Sequence, residues 1–449
     1  MRILRLSKSS LRFYGWLAIL SVITALGFYA IIAGFIRGHE VTFNTGSGVP
    51  WGILIVAYLF FVVPASGLCL ISSLGHVFGM ERFEPLGKRA IFLAIILLIS
   101  GFLVIASDLE RPWLMPLYVL ITPNPTSAIW WMGTLYGFYF VALLVEFFFL
   151  SRAEAIRRLR VNQGAVPLVY RVLAMGAQKS PDISLKRSLG ATRVTGVITI
   201  VLAVAALSTL GAVFGLTGSR SLWHGALLPV YFVMTAFLSG DAILIIAILL
   251  THKASRVEVP QETKLTIVTL GQLLGLFLGI FLLFTVWNLL TAQYGRIPEQ
   301  FESVMILING SLAIPFWVGE ILFGLLAPLA ILAYTRFRNI RANVAASLLV
   351  VAGIFFTRYD TVIGGQLVPV FGRESLWQYT PSLFEILTVI GAFSLFLILY
   401  SLGNHFLPLE DSALVFQYGE KVEASPSPVS QPDVPTIRVS NAEFRHHLT

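Results

Sequence analysis

Apolar residues in this chain do not alternate with polar ones. They fill whole stretches of about 20 residues, the length of helix that crosses a hydrocarbon core of roughly 30 Å. Ten such stretches are predicted to be helices, at about 13–36, 52–79, 90–107, 128–150, 195–215, 226–250, 265–290, 310–334, 342–357 and 381–402. The ninth is short, with 16 residues between Arg341 and Arg358. A helix of that length needs a thinned bilayer or a continuation into protein-covered surroundings. The first run begins at Leu11 and no Ala-x-Ala-like cleavage site follows it, so it is expected to be retained and not removed as a signal peptide. The pattern specifies an all-α, polytopic integral membrane protein with about ten transmembrane helices.

Composition agrees. Charged residues make up 12% of the 449 positions and hydrophobic ones 57%, whereas soluble domains carry roughly 25% charged residues. The charges are unevenly placed: 25 of the 31 Lys and Arg fall in alternate segments, counted from the N-terminus, and only Arg37, Arg111, Arg220, Arg296, Arg358 and Arg373 fall in the others. Retained basic residues mark the cytoplasmic side, so both termini are expected there, in a prokaryotic inner membrane. The net charge of +8 follows from this topology and from lipid contact, and it does not point to nucleic acid. A transmembrane domain is assigned to 1–410, with an inner loop at 152–193 that opens on Arg152, Arg157, Arg158 and Arg160 as a basic helix in the headgroup region. A cytoplasmic tail rich in Pro and Ser occupies 411–449.

Several chemistries are excluded. The single cysteine, Cys69, rules out internal disulfides, thiolate-bound iron–sulfur clusters, Cys-rich zinc sites and covalent haem attachment. Of seven histidines only His76 lies well inside a span, so paired axial ligands for a transmembrane haem b are not at hand. Trp131-Met-Gly133 and Trp317-Val-Gly319 echo each other in spans four and eight. A real echo would make spans 2–5 and 6–9 two parallel-related four-helix bundles, with two peripheral helices beside them.

Ionisable groups inside spans cost about 2.5–3.5 kcal/mol each on insertion scales and are therefore functional candidates. They are His76, Glu146, Asp241, Glu320 and Glu385, with Asp108, Arg111, Arg358 and Asp360 placed at outer helix ends. The four carboxylates within spans, with no Lys or Arg inside the spans to pair with, form a ladder suited to proton transfer. Pro64 predicts a kink in span two near Tyr58, whose phenol could bond a ligand carbonyl.

From Pro50 to Leu150 the chain resembles the integral-membrane subunits of the NrfD/PsrC (polysulfide reductase membrane subunit) family. The residues carrying this are Pro50-Trp-Gly with Tyr58, the stretch ending His76-Val-Phe-Gly, Phe83-Glu-Pro-Leu, Ser107-Asp-Leu-Glu-Arg-Pro-Trp113, and Asn124-Pro-Thr-Ser127 leading into Trp130-Trp-Met-Gly133. Tyr379-Thr-Pro-Ser-Leu-Phe-Glu385 and Leu407-Pro-Leu409 resemble the ten-helix branch, which includes the HybB, DsrP/HmcC and alternative complex III ActC-type subunits. Glu110 departs from the family, which usually has glycine there.

The resemblance implies a quinone- or quinol-interacting subunit of a respiratory redox complex. Such a subunit holds no metal and no haem or iron–sulfur cluster. It exchanges electrons between menaquinone or a related quinone and a ferredoxin-like iron–sulfur subunit on the outer face, with a multihaem cytochrome or catalytic subunit further on. Tyr58, Asp108, Arg111 and Tyr136 are the implied quinone contacts, with Asp108 and Arg111 expected to pair. His76, Glu146, Asp241, Glu320 and Glu385 are the candidates for proton transfer. The loops at 37–50, 108–126 and 358–380, with Trp113, Met115, Tyr118 and Trp377, are the expected docking surface. A secondary transporter, or a structural anchor without a quinone site, fits the same residue pattern.

Overall fold

A computed structural model describes residues 8–161, 168–174, 181–255, 259–370, 376–407 and 409. The tail at 411–449, Arg373, and the side chains of Arg157, Arg158 and Arg160 lie outside what it describes.

Ten helices are long and apolar enough to cross a membrane: α1 Leu11–Arg37, α2 Ile53–His76, α3 Glu84–Asp108, α4 Ala128–Ile156, α5 Ile183–Gly215, α6 Leu227–Lys253, α7 Gln261–Gly295, α8 Pro315–Tyr334, α9 Ile340–Leu367 and α10 Leu383–Phe406. No strand occurs among the described residues. The all-α expectation holds, as does the number of spans.

The helices pack as two bundles, α2–α5 and α6–α9, joined mainly where α2 meets α6, while α1 and α10 pair with each other on the flank of α3. In membranes, small residues let helix backbones approach closely. A Cβ added at Gly67 would run into the Ala236 backbone of α6, and one added at Gly27 would meet Gly391 across the α1/α10 contact. The α1/α10 pair is also stitched by Ser394 Oγ donating to the Leu20 carbonyl at 2.7 Å.

Two helix ends differ from the sequence-based reading. The helix of α4 runs on to Val161, so the basic stretch after Ser151 continues a spanning helix and is not a separate surface helix. Past Arg358, α9 extends through a widened π-helical turn, Asp360–Gly364, to Leu367. The ninth span therefore has 28 residues and needs no thinned bilayer. Arg358, expected in an outer loop, is fully buried inside the protein, and the expected loop at 358–380 begins only after Leu367. Nor does the turn at Glu110 require glycine, because among the described residues the non-glycine positions with positive φ are Arg296, Arg336 and Phe337.

Alternate loops place the helix ends on two faces. The face holding 77–83, 259–260 and 335–339 is the basic face; the opposite face holds 38–52, 109–127, 216–226, 368–370 and 376–382.

Candidate functional site

On α4 a polar stripe recurs at helical spacing. Tyr136, Tyr139 and Glu146 lie on one face, with the apolar Leu143 between the last two, and all four are buried. Tyr139 donates its hydroxyl to the Ala65 carbonyl at 3.1 Å, beside Pro64 of α2. Tyr136 is buried with no partner for its hydroxyl. Tyr58, two turns into α2, reaches the Met132 sulfur at 3.9 Å. At the basic end of the stripe, Glu146 Oε1 meets His76 Nε2 at 2.6 Å, and its other oxygen accepts the Thr199 hydroxyl from α5. The expected ladder thus contains one tight pair. Thr199, which sequence reasoning passed over, completes it.

At the opposite end the stripe leads up to a cleft of about 380 Å³ between the starts of α2 and α4 and the end of α5, lined by Trp51, Ser127, Ile129, Arg220, Trp223 and Gln366 among others. Trp51 and Trp223 stack at 5.2 Å and 21°, and Phe214 meets both edge-on. Each wall is fixed by hydrogen bonds. Gln366 accepts from the Trp51 backbone N–H and donates to its carbonyl, both at 2.9 Å. Trp223 Nε1 donates to the Thr361 carbonyl at 2.6 Å. Arg220 donates to the Gln366 and Val368 carbonyls at 2.8 and 2.9 Å, and partial burial lowers its pKa from the ordinary value. A guanidinium spent on backbone carbonyls is a strut, holding the end of α9 against the loop after α5.

The predicted contacts divide. Tyr58 and Tyr136 lie below this cleft on the faces that lead away from Trp51 and Ile129, seven residues or two turns along each helix. Asp108 and Arg111 do not line it. Among the described residues the ion pairs are His76 with Glu146 and Lys88 with Glu154, so the expected Asp108–Arg111 pair is not formed. Arg111 is exposed. The charge that Asp108 senses is that of Glu385.

Glu385 itself is taken up in a joint. It accepts from Tyr379 Oη at 2.7 Å, from the Ser382 N–H at 2.7 Å and from the Asn44 N–H at 3.2 Å, while Ser382 Oγ accepts the Glu385 N–H. Tyr379 Oη in turn accepts the Ile53 N–H at 2.8 Å. This capping box ties the starts of α2 and α10 together. Burial, and then the Glu385 charge, push the Tyr379 hydroxyl above the ordinary tyrosine pKa.

Asp241 stands alone: it is fully buried in α6 and neither carboxylate oxygen has a hydrogen-bond partner. Glu320 is grouped with Arg358 and Asp360 in the second bundle. Arg358 lies over the Phe232 ring, 4.6 Å from its centroid, and donates to Thr235 Oγ1. Lys88 and Arg89 are buried too, in the first turns of α3. The expectation that no Lys or Arg enters the spans therefore fails. Local sequence carried no sign of it, because every partner of Arg358 comes from a distant helix.

The ten-helix membrane protein, in two bundles, thus carries an aromatic cleft at one face, with buried phenols, carboxyl groups and a histidine in the helices beneath. Residues 41–370 match the family described as polysulphide reductase, NrfD, and the chain belongs to that family. It is 27% identical to the C subunit of selenate reductase from Mesobacillus selenatarsenatis, over 88% of this chain and 94% of that protein. It is 26% identical to the Hdr-like menaquinol oxidoreductase integral membrane subunit of Archaeoglobus fulgidus (89% and 94% covered). The membrane C subunit of a putative dimethyl sulfoxide reductase from Halobacterium salinarum is 25% identical (89% and 92% covered).

Proposed function

We propose that this chain is the quinone-reactive membrane subunit of an oxidoreductase complex. It exchanges electrons between a menaquinone-type quinone and an iron–sulfur partner at the face opposite the basic one, and protons with the interior polar stripe. The observation that carries the reading is the cleft walled by Trp51 and Trp223 directly above Tyr58 and Tyr136.

The residues present fit such a ring. The cleft volume of about 380 Å³ lies within the roughly 300–1,000 Å³ of ligand pockets. Indole faces stack on flat rings, and the unpartnered Tyr136 hydroxyl waits below with a proton to give or accept. When bound, the quinone supplies two-electron, two-proton chemistry. The chain's part is to hold the ring against the aromatic wall formed by the Trp51–Trp223 stack, keep water from it and move protons. The Tyr136, Tyr139, Glu146, His76 series leads from beneath the cleft to the basic face. Asp241, with no cation or donor of its own, is a second proton-exchanging position at mid-depth.

By the positive-inside rule the basic face is cytoplasmic, in a prokaryotic inner membrane. The partner then docks outside, against the segment with Trp113 and Tyr118, which are 66% and 57% exposed, and beside Trp377, whose N–H is bonded to the Leu367 carbonyl at 3.0 Å. The electron route is completed by a multihaem or catalytic subunit beyond that partner.

Extraction of quinone from the complex purified in mild detergent tests the reading. About one quinone per chain, with tryptophan fluorescence quenched when it is present, is the expected result. A complex that turns over with no bound or exchangeable quinone contradicts it.

A further inference from the structure

The second bundle has a cavity of its own, also at the face opposite the basic one. About 60 Å³ in volume, it is lined by Tyr231 of α6, Thr285 and Asn288 of α7, Glu320 of α8, and Asp360 and Thr361 of α9, among apolar neighbours. In span order it corresponds to the aromatic cleft, since each lies against the starts of its bundle's first and third helices and near the end of the fourth. Its chemistry is different. The polar lining is oxygen-rich, and the space holds a few waters, each needing about 10–15 Å³, but no ring.

Both carboxylates stand on distorted backbone. Glu320 is in the π-helical first half of α8, Pro315–Leu326, and Asp360 opens the π-helical turn of α9. Such turns recur at functional sites. The two carboxylates line the same cavity, and neither Asp360 oxygen has a donor. Asp360 is 2% exposed, Glu320 6% and Arg358 0%. The remaining titratable groups that interact with this set are Tyr136 of α4, Tyr231 of α6 and Tyr359 of α9, all neutral in their ordinary state. Two carboxylates against one guanidinium leave one negative charge, in surroundings where an unpaired charge is costly.

We propose that this cavity binds one monovalent cation, a proton or Na⁺, held between Glu320 and Asp360, with Arg358 fixing the number at one. Neutralising one of the two carboxylates leaves a single negative charge, offset by the nearby Arg358 guanidinium, whose charge acts on Glu320. Binding depends on this pair and not on quinone.

The full chain, purified with its partner subunits, is assayed for ²²Na⁺ binding and by infrared spectroscopy for the stretch of a protonated carboxyl group. The sodium form gives one Na⁺ per chain. The proton form gives no Na⁺ binding but a protonated-carboxyl band in neutral buffer. In either case the signal falls at least tenfold in Glu320→Gln and in Asp360→Asn. Glu320→Asp, which keeps the charge and shortens its reach, weakens Na⁺ binding or moves the band, and it tests the claim if a neutralised variant fails to assemble. Quinone content, measured on the same samples, reports separately on the first bundle. The proposal is overturned if the wild type binds no Na⁺ and none of these variants alters a protonated-carboxyl band.

Discussion

Glu146 and His76 meet at 2.6 Å at the basic end of the first bundle, and Thr199 donates to the second carboxylate oxygen. One carboxylate thereby joins α2, α4 and α5. Removing one partner of a buried pair costs about 3–5 kcal/mol because the other is left uncompensated. Glu146→Ala should lower detergent-phase stability by that order, seen as loss of monodisperse protein on warming. Glu146→Gln, which keeps an acceptor for Thr199, should lose much less stability while still slowing turnover. Equal stability loss in the two variants would mean that packing, not the pair, holds the helices.

Arg358 is the buried cation around which the second bundle is arranged, over Phe232 and bonded to Thr235. Arg358→Leu is expected to destabilise the chain by about 3–5 kcal/mol, since it removes the guanidinium whose charge offsets the buried Glu320. The double variant Arg358→Leu with Glu320→Gln should recover part of the loss. Thermal unfolding of all three proteins in one detergent checks this, and strict additivity would deny the coupling.

The number of spans was legible because hydropathy writes it in long contiguous stretches, the two bundles through the Trp131–Gly133 and Trp317–Gly319 echo, and the family through its motifs. The end of α9 was not. Arg358 and Asp360 look like loop charges, and what admits them to the interior is a ring on α6, a hydroxyl on α6 and a carboxylate on α8, none of them local. The cleft was hidden for the same reason. Trp51, Trp223 and Gln366 come from three segments, although Gln366, an amide closing an apolar helix, is a signal that could have been followed. Tyr58 and Tyr136, picked out in the sequence, are both buried in apolar helices, and their contact with quinone is part of the proposal. Asp108 and Arg111 are close in sequence but do not pair, because Arg111 lies beyond the last turn of α3 and faces out.

Tyr379 holds the joint between the starts of α2 and α10, and its hydroxyl pKa is raised by burial and by Glu385. A raised folded-state pKa makes the protonated hydroxyl a source of stability that is fully present below the unfolded value of about 10 and lost as pH rises above it. Wild type should therefore exceed Tyr379→Phe in stability by a constant margin, about 1 kcal/mol for a hydrogen bond, up to about pH 10. The margin should shrink above that. A margin that grows with pH would reverse the assignment.

Orientation is open to a direct test because the native cysteine, Cys69, is fully buried and gives no background. Ser47 and Gln261 are exposed on the two opposite faces. In intact cells an impermeant thiol reagent should label Ser47→Cys and spare Gln261→Cys; the reverse pattern would invert the topology.

On the proposed reading the quinone ring lies in the cleft against the stacked Trp51 and Trp223, and not at the end of α3. Photoaffinity labelling of the intact complex with an azidoquinone, followed by mapping of the modified peptides, tests it most directly. Label should appear on segments 50–58, 127–136 and 213–223, should be chased by unlabelled quinone, and should fall by about fivefold to tenfold in Trp223→Ala, as expected for the loss of a stacking partner worth about 1 kcal/mol. In Asp108→Asn it should be unchanged. Label confined to 108–111, with no effect of Trp223→Ala, would contradict the account.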